Sequence, residues 1–333
     1  MDNLRCSLEP YGNTKIMVFY GGISDERTVA LASGRALTTA LRRHFSVVGM
    51  DLIEAVIPDD LCPESMVVFP ALHGAFGEDG GIQSLLEAQG VVYAGSDSSS
   101  SRLCMDKPAS KQRVAAAGVR IAPGFDFEAK EATASVPTGL KALQGPFVLK
   151  PADGGSSLGL HQNLSQAQLI GLLPRLSKGR WMVETHIRGR EITVGILEGR
   201  ALGLVEVVPG GDGVYDFEHK YTKGLTDYRF PAVVTPAIEA EIKQTAEGVF
   251  AACGCRDFAR VDFILTNEGE CYFLEINTMP GLTETSLLPK SAACCGMDFT
   301  ALCLQLMTPA LKRLQQTTHG NHLTQQKEIS ANR

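Results

Sequence analysis

Short apolar runs alternate with helical patterns along the first hundred residues. An apolar run at 15–20 leads into Gly21 and Gly22, and residues 27–45 follow with helical periodicity. Further apolar runs at 47–52, 66–72 and 91–94 enclose a second helical pattern at 82–89. Strands that alternate with helices are typical of a doubly wound parallel sheet. We therefore expect an N-terminal α/β domain over residues 1–101.

The pattern becomes mixed after this region. The serine tract 98–101 predicts a linker, and two short helical patterns follow at 102–107 and 109–117. A strand at 146–150 then runs into a glycine-serine segment at 153–159, which suggests a second domain over residues 102–183.

The last part of the chain predicts a third domain, over residues 184–318. It combines strands at 191–197 and 201–208, a helix at 236–252, two strands at 258–265 and 271–278, and a helix at 299–314. Residues 210–230 lack periodicity, which indicates a functional loop. The polar residues 319–333 predict a disordered tail.

Polar and apolar residues alternate on both sides of the turn Asn267-Glu-Gly-Glu270. This pattern predicts a hairpin in which Arg260, Asp262, Glu275 and Asn277 can point to one face. Two carboxylates and an amide oxygen suit Mg²⁺, and an arginine beside them can hold an anion. The alternative, which the spacing alone favours, is a hairpin with a solvated charged face.

Other candidate segments also allow two interpretations. Lys150 precedes the glycine-serine segment, which could cradle phosphates or form an ordinary turn. Residues 181–187 could bind adenine through main-chain groups or could simply leave the sheet. The charged and aromatic residues 215–221 suggest either a mobile lid or a surface loop with incidental charges.

Two single residues near the N-terminus carry the same ambiguity. Glu26 begins the first long helix, where it could complement the helix dipole or pair with a substrate ammonium group. His73 ends an apolar strand, where a structural role is more common than contact with a ligand.

Composition narrows the class of protein. The chain has 333 residues, 44% of them hydrophobic, and a formal net charge of −6, so it has no general electrostatic footprint for nucleic acid or an anionic membrane surface. No apolar run approaches a membrane span, and the N-terminus has no h-region, so we expect a cytoplasmic location. Nine cysteines without zinc or thioredoxin spacing suggest reduced, mostly buried thiols.

An ordered series of short motifs spans nearly the whole chain. It comprises Gly21-Gly-Ile-Ser-Asp-Glu26, Ala71-Leu-His-Gly74, Gly77-Glu-Asp-Gly80, Met105-Asp-Lys107, Lys150-Pro151, Gly155-Ser-Ser-Leu-Gly159, Tyr215-Asp-Phe-Glu-His-Lys-Tyr221, Arg260-Val-Asp262, Leu274-Glu-Ile-Asn-Thr278 and Pro280-Gly-Leu-Thr283. Each motif is weak alone, but their order is specific. The series resembles the D-alanine-D-alanine ligase family of the ATP-grasp superfamily.

This resemblance implies an ATP-grasp architecture of three domains, an N-terminal doubly wound sheet followed by two α+β domains that enclose ATP. It also implies that ATP, as co-substrate, phosphorylates the carboxylate of one D-alanine. The amine of a second D-alanine then attacks the acyl phosphate, and the dipeptide serves peptidoglycan synthesis. The family further suggests a homodimer formed through the first domain.

The resemblance assigns expected roles to residues of this chain. For ATP these are Lys107, Lys150, Ser156, Glu184, Ile187, Glu191 and Lys220, and for two Mg²⁺ ions, or Mn²⁺, they are Asp262, Glu275 and Asn277. For the two D-alanines they are Glu26, His73, Arg260, Ser286 and Leu287. The expected catalytic set is Glu26, Ser156, Tyr221 and Arg260.

Several positions depart from the pattern common in the family, namely Ala30, Ala152, Asp153 and Thr285. None of these four positions is an expected metal ligand or an expected phosphate-binding lysine. They bear instead on the reaction rate and on the choice of the second substrate. Tyr221 resembles the dipeptide-forming branch of the family. The alternatives are a ligase that uses D-serine or D-lactate second, and a nucleotide-binding regulator without catalysis.

Overall fold

A computed structural model of the chain describes residues 14–130, 136–155, 159–210 and 226–331, with side chains as far as Thr317 in the last of these ranges. Three β-sheets organise this part of the chain, of four, four and five strands. Helices pack on all three sheets, and eight of the candidate site residues line a cleft where the sheets face one another.

The first sheet is parallel throughout, in the order β2-β1-β3-β4. Its strands are β1 (Lys15–Gly21), β2 (Ser46–Leu52), β3 (Met66–Pro70) and β4 (Val92–Tyr93), and its helices are α1 (Arg27–Leu41) and α2 (Gly81–Ala88). β1 and β3 are almost wholly buried. Helices cover both faces of such a sheet, which explains the continuous apolar runs in the sequence. The predicted doubly wound sheet is confirmed.

Two helices connect this sheet to the next, α3 (Ser98–Met105) and α4 (Lys107–Ala116). The serine tract lies within this connection, as expected, but it forms the first turn of α3 and not an irregular linker. The Asp97 carboxylate accepts a hydrogen bond from the Ser100 N–H and caps the helix. Ser101 is fully buried.

The second sheet is antiparallel, in the order β5-β8-β6-β7. It contains β5 (Gly124–Ala129), β6 (Phe147–Pro151), β7 (His161–Leu164) and β8 (Gly179–Thr185), with the short helix α5 (Gln166–Leu172). Lys150 lies near the end of β6, and Glu184 lies on the neighbouring strand β8.

The third sheet is also antiparallel, in the order β11-β10-β9-β12-β13. Its strands are β9 (Arg190–Leu197), β10 (Arg200–Pro209), β11 (Thr226–Arg229), β12 (Phe258–Leu265) and β13 (Cys271–Asn277), and its helices are α6 (Pro236–Ala252) and α7 (Leu287–Ala293). The predicted hairpin is therefore formed by β12 and β13. Helices α3 and α4 also lie against β13.

The last helix, α8 (Phe299–Ala331), joins the first and third sheets. Its apolar side chains share one core with β1, β3 and α7. The apolar periodicity stops at residue 314, so the sequence predicts that the helix ends there. The structure continues it to Ala331, because the residues that follow are polar but contain no proline to interrupt the helix. The boundary at residue 319 remains a prediction, as do the other domain boundaries.

The eight cysteines within the described ranges are all free thiols. Four of them are buried, as expected for small apolar side chains in a core. Among the described residues, no helix combines the length and the apolar character that crossing a membrane requires.

Candidate active site

A cleft of about 960 Å³ opens between the second and third sheets and reaches the loops of the first. Eight of the residues expected from the sequence line it: Glu26, Lys107, Lys150, Glu184, Ile187, Glu191, Asp262 and Glu275. They come from all three parts of the chain, so only the folded molecule brings them together. Sites of this size between packed domains are typical of small-molecule and nucleotide binding.

The register of β12 and β13 determines the geometry of the polar hairpin. Arg260 pairs with Asn277, and Asp262 pairs with Glu275. Side chains of directly paired residues lie on the same face of a sheet, as do residues two positions apart. All four polar side chains therefore share one face, and Asp262 and Glu275 reach the cleft.

The Asp262 carboxylate lies at the centre of this face. The Arg260 guanidinium binds it in a forked arrangement, with Nε 2.9 Å from Oδ1 and Nη2 2.8 Å from Oδ2. The Asn277 amide donates from Nδ2 to Oδ2 at 3.1 Å, and the Thr193 hydroxyl donates to Oδ1. Asp262 is only 4% exposed, and these donors fix the orientation of the buried carboxylate.

Glu275 lies beside Lys107 on the cleft wall. The distance from its Oε2 to the Lys107 ammonium is 3.7 Å. The same ammonium donates to the Gly154 carbonyl at 2.5 Å, in the segment that follows Lys150. Asn277 and Glu275 also line a small adjoining cavity, again with Lys107 and Gly154. Lys107 thus links the polar hairpin to the glycine-serine segment.

Glu184 carries a buried carboxylate between two lysines. Its Oε1 is 2.6 Å from the Lys111 ammonium, and its Oε2 is 2.6 Å from the Lys150 ammonium. Burial by itself would raise the pKa of Glu184, but the two ammonium groups lower it to about 2. Burial also lowers the pKa of Lys111, and the charge of Glu184 opposes that shift. The carboxylate is therefore ionised at neutral pH.

Ile187 and Glu191 also line the cleft, together with a second ion pair formed by Arg190 and Glu206. Arg190 binds Glu206 in a forked arrangement, at 2.8 Å from Nε to Oε1 and 2.7 Å from Nη2 to Oε2. The pair joins β9 to β10, and the Arg190 guanidinium lowers the pKa of Glu206. It stiffens the strand that carries Glu191.

Glu26 lies where the first sheet meets the glycine-serine segment. A Cβ atom on Gly74 would lie 2.8 Å from its Oε2, and a Cβ atom on Gly155 would lie 2.9 Å from the same oxygen. Any larger residue at either position would displace the carboxylate. Ser24 supports the turn, since its hydroxyl accepts the Glu26 N–H and donates to the His73 carbonyl.

His73 is buried and does not line the cleft. Its Nδ1 is 3.1 Å from the Glu78 carboxylate, and its Nε2 is 3.3 Å from the Ser33 hydroxyl. The Ser33 hydroxyl in turn accepts the Leu282 N–H at 3.1 Å. This chain of contacts connects the first sheet to the segment that precedes Ser286.

Ser286 and Leu287 lie at the start of α7 and also do not line the cleft. The Ser286 hydroxyl accepts the Thr283 N–H at 3.1 Å and contacts the Thr283 hydroxyl at 2.8 Å. Gly281 packs closely against Ser286. A Cβ atom at position 281 would lie 3.0 Å from the Ser286 hydroxyl, so a larger residue there would push this hydroxyl aside. The turn from Pro280 to Ser286 is thus closed by its own side chains.

Three expected site residues, Ser156, Lys220 and Tyr221, lie outside the described residues. The structure also brings to the site residues that no sequence motif indicates, above all Lys111, Thr193 and Arg190. Thr193 could not be found from spacing, because it reaches Asp262 only through the pairing of β9 with β12. Glu78, the partner of His73, belongs to the motif Gly77-Glu-Asp-Gly80, but the motif alone indicates no role for it.

Comparison with known proteins gives a consistent result. A family model described as "D-ala D-ala ligase C-terminus" matches residues 115–308, and one described as "D-ala D-ala ligase N-terminus" matches residues 53–96. The chain is 39% identical to a D-alanine-D-alanine ligase of Citrifermentans bemidjiense over 91% of this chain and 98% of the relative. It is 41% identical to one of Magnetococcus marinus, over 89% of this chain and 97% of the relative.

Solved structures agree with these relatives. A D-alanine-D-alanine ligase from Bacillus anthracis complexed with ATP has 28% identity and a TM-score of 0.78, over 91% of this chain and 99% of that one. The VanG D-Ala:D-Ser ligase from Enterococcus faecalis has 27% identity and a TM-score of 0.76, over 90% and 99%. Both the sequence relationship and the fold extend over nearly the full length of each relative, so the chain belongs to the D-alanine-D-alanine ligase family.

Proposed function

We propose that the chain uses ATP to join two D-alanines into D-alanyl-D-alanine for peptidoglycan precursors. The single observation that carries the proposal is the register of β12 and β13. It gives Arg260, Asp262, Glu275 and Asn277 a common face beside a cleft that also contains two lysines. A solvated charged face, the alternative from spacing, is inconsistent with an Asp262 that is only 4% exposed.

ATP binds in the cleft, with the phosphates near Lys107 and Lys150 and the nucleoside near Glu184, Ile187 and Glu191. Both lysines line the cleft, and phosphate groups require compact positive charge of this kind. The ATP complex of the Bacillus anthracis relative supports this use of the fold. Ser156 and Lys220 complete the phosphate site on the basis of the sequence motifs.

The donor set of Asp262, Glu275 and Asn277 fits Mg²⁺, because it offers only oxygen ligands and leaves positions for phosphate oxygens. Among the described residues no group of three His, Cys, Asp or Glu side chains could hold a metal. An ion here would thus need the Asn277 amide oxygen or oxygens of the nucleotide. Two bound Mg²⁺ ions would neutralise charge on the transferring phosphoryl group.

The first D-alanine places its ammonium group at Glu26, with His73 behind it. Its carboxylate oxygen attacks the γ-phosphorus, an acyl phosphate forms and ADP leaves. The ammonium group of the second D-alanine releases one proton, and its free amine attacks the acyl carbon. Phosphate then leaves and takes up the proton that the nitrogen loses as the amide forms. Arg260 holds the reacting carboxylate and then the tetrahedral oxyanion, since an arginine fork matches both charge distributions.

The second D-alanine places its carboxylate at Ser286 and the N–H of Leu287. Tyr221 and Ser156 lie outside the described residues, and their proposed action with Glu26 rests on the family motifs. We also infer three functional domains, over residues 1–101, 102–183 and 184–318, a homodimer formed through the first of them, and a cytoplasmic location. These inferences follow from family membership.

Product analysis with competing acceptors tests the proposal. The purified chain receives ATP and Mg²⁺ with an equal mixture of D-alanine, D-serine and D-lactate, and mass spectrometry identifies the products. We expect phosphate release and mainly D-alanyl-D-alanine, and no product when L-alanine replaces the mixture. Mainly D-alanyl-D-serine or D-alanyl-D-lactate would overturn the choice of acceptor. Binding of ATP without phosphate release from folded protein would favour the regulator.

A further inference from the structure

Lys111 is one of the largest fully buried side chains in the described part of the protein, and it is charged. Its ammonium group contacts the Glu184 carboxylate at 2.6 Å and donates to the Phe273 carbonyl at 3.1 Å. The ammonium also lies 5.9 Å from the centre of the Phe273 ring. Lysines are almost never fully buried unless they are paired, so this position has a specific requirement for charge.

The three groups come from different parts of the fold. Lys111 lies on α4, Glu184 lies on β8 of the second sheet, and Phe273 lies on β13 of the third sheet. The backbone supports the same junction, since the Phe273 N–H donates to the Arg120 carbonyl at 2.9 Å. Lys111 therefore bridges the two sheets whose facing surfaces form the cleft.

The two lysines on Glu184 are not equivalent. Lys150 lines the cleft, and its side chain is 13% exposed. Lys111 does not line the cleft, and its side chain is 2% exposed. A phosphate group entering the cleft can attract the Lys150 ammonium away from Glu184. Lys111 would then be the one cation left beside that buried carboxylate among the described residues.

We propose that Lys111 is a positioning residue for the nucleotide, because it compensates the buried Glu184 carboxylate and so releases Lys150 to bind phosphate. Lys111 acts through Glu184 and does not touch ATP. The inference rests on the proposed function, in which the nucleotide occupies the cleft. The lowering of the Glu184 pKa to about 2 is consistent with it, because two ammonium groups outweigh a strong burial effect.

Replacing Lys111 by methionine keeps most of the side-chain volume and removes the charge. In the variant Lys150 is the remaining cation at Glu184, so it is less available to phosphate. We expect the Kd of ADP and the KM for ATP to rise at least about tenfold, equivalent to about 1.4 kcal/mol. The KM for D-alanine and kcat should change by less than about threefold, since Lys111 contacts neither the acceptor nor the reacting atoms.

The matched control is Arg113→Met, on the same helix. Arg113 is exposed and donates to the Ala252 carbonyl at 3.5 Å, so its loss removes a cation from α4 while the Lys111–Glu184 pair stays in place. We expect nucleotide affinity within about twofold of the unmodified chain, because surface substitutions away from a site have small effects. Nucleotide affinity that falls equally in both variants would show a nonspecific effect of α4 and overturn the proposal.

A double-mutant cycle with Glu184→Gln tests whether Lys111 acts through the Glu184 carboxylate. In the Glu184→Gln background there is no carboxylate to compensate, so Lys111→Met should change the Kd of ADP by less than about threefold. Equal effects of Lys111→Met in the two backgrounds would overturn the proposal. The double variant also removes both buried charges, so it keeps the test valid if Lys111→Met alone does not fold.

Nucleotide binding is measured by calorimetry with ADP, without turnover, so the two proposals can fail separately. If the unmodified chain binds ADP and Lys111→Met binds it equally well, the role of Lys111 is wrong and the ligase proposal is unaffected. If the folded, unmodified chain binds no ADP, the proposed function fails and this inference fails with it.

Discussion

At the scale of single residues, the charged groups of the cleft are already paired with one another. Arg260 binds Asp262, Lys150 binds Glu184, and Lys107 lies between Glu275 and the Gly154 carbonyl. A buried charge without such a partner would cost several kcal/mol. Substrates must therefore exchange these contacts for their own, and the protein enters the reaction with its side chains already oriented.

Arg260→Ala tests whether Arg260, which binds Asp262 in the free protein, acts on the reacting groups and not on nucleotide binding. Asp262 keeps its hydrogen bonds from Thr193 and Asn277 in this variant, so we expect the Kd of ADP to stay within about threefold. Turnover should fall by at least about 100-fold, because the variant lacks the guanidinium that we propose stabilises the oxyanion. Calorimetry with ADP and a phosphate-release assay measure the two effects.

Arg260→Lys is the control, since it keeps the charge but loses the fork, and it should retain more activity than the alanine variant. If ADP binding and turnover fall equally in Arg260→Ala, the arginine acts on ATP binding or on the structure of the hairpin instead. The proposed oxyanion role would then be wrong.

At the scale of elements, the start of α4 sets the position of Lys107. The Asp106 carboxylate accepts the Ala109 N–H at 2.9 Å and binds the Arg180 guanidinium at 2.6 Å. Pro108 follows inside the first turn, where its missing N–H is not needed. In the sequence Met105-Asp-Lys107, Asp106 caps α4 and Lys107 is the first residue of that helix. The capped helix start therefore holds Lys107 in place at the cleft.

Asp106→Ala should therefore lower both stability and nucleotide affinity. Loss of the cap costs about 1 kcal/mol of unfolding free energy. Because Lys107 follows directly, we also expect the Kd of ADP to rise by about threefold or more, a change equivalent to about 0.7 kcal/mol. Urea unfolding and calorimetry measure these changes. Asp106→Asn keeps a capping oxygen and should recover most of the stability. If both variants are destabilised equally, the loss comes from the ion pair with Arg180 and not from the cap.

At the scale of the whole molecule, Asp257 joins the first sheet to the third. Its carboxylate accepts the Gly95 N–H at 2.8 Å and binds Arg313 of α8 at 2.6 and 2.7 Å. Arg313 also donates to the Tyr93 carbonyl at 2.7 Å. The Asp257 side chain is 2% exposed, so this contact lies within the interface between the two sheets and holds them in one arrangement.

Arg313→Met should destabilise the protein by about 3 kcal/mol, the lower end for a broken buried pair, because the Gly95 N–H still donates to Asp257. Thermal unfolding measures the change. Lys312→Met is the control on the same helix; its pair with Glu198 is about half exposed on both sides, so we expect less than about 0.5 kcal/mol. Equal unfolding temperatures for the two variants would show that the Asp257 contact does not hold the sheets together.

Much of this architecture follows from local patterns in the sequence. The continuous apolar runs at β1 and β3 predicted buried parallel strands, and the alternation around Asn267 predicted the hairpin of β12 and β13. Both patterns depend on which face of a strand is buried, a property that neighbouring residues report. The composition of the serine tract at 98–101 suggested an irregular segment, but Asp97 caps a helix there, Ser100 donates to the Gly254 carbonyl and Ser101 is buried.

By itself, the sequence determined the order of the elements, the polar face of the hairpin as a possibility and the family resemblance through its ordered motifs. Only the tertiary structure decided that the four polar residues share a face, that Thr193 joins Asp262, and that Lys111 compensates Glu184. Lys111 and Phe273 are 162 positions apart, so no local pattern can indicate their contact. Packing between distant segments sets strand register and burial. Register and burial then determine which charged side chains can form pairs inside the protein.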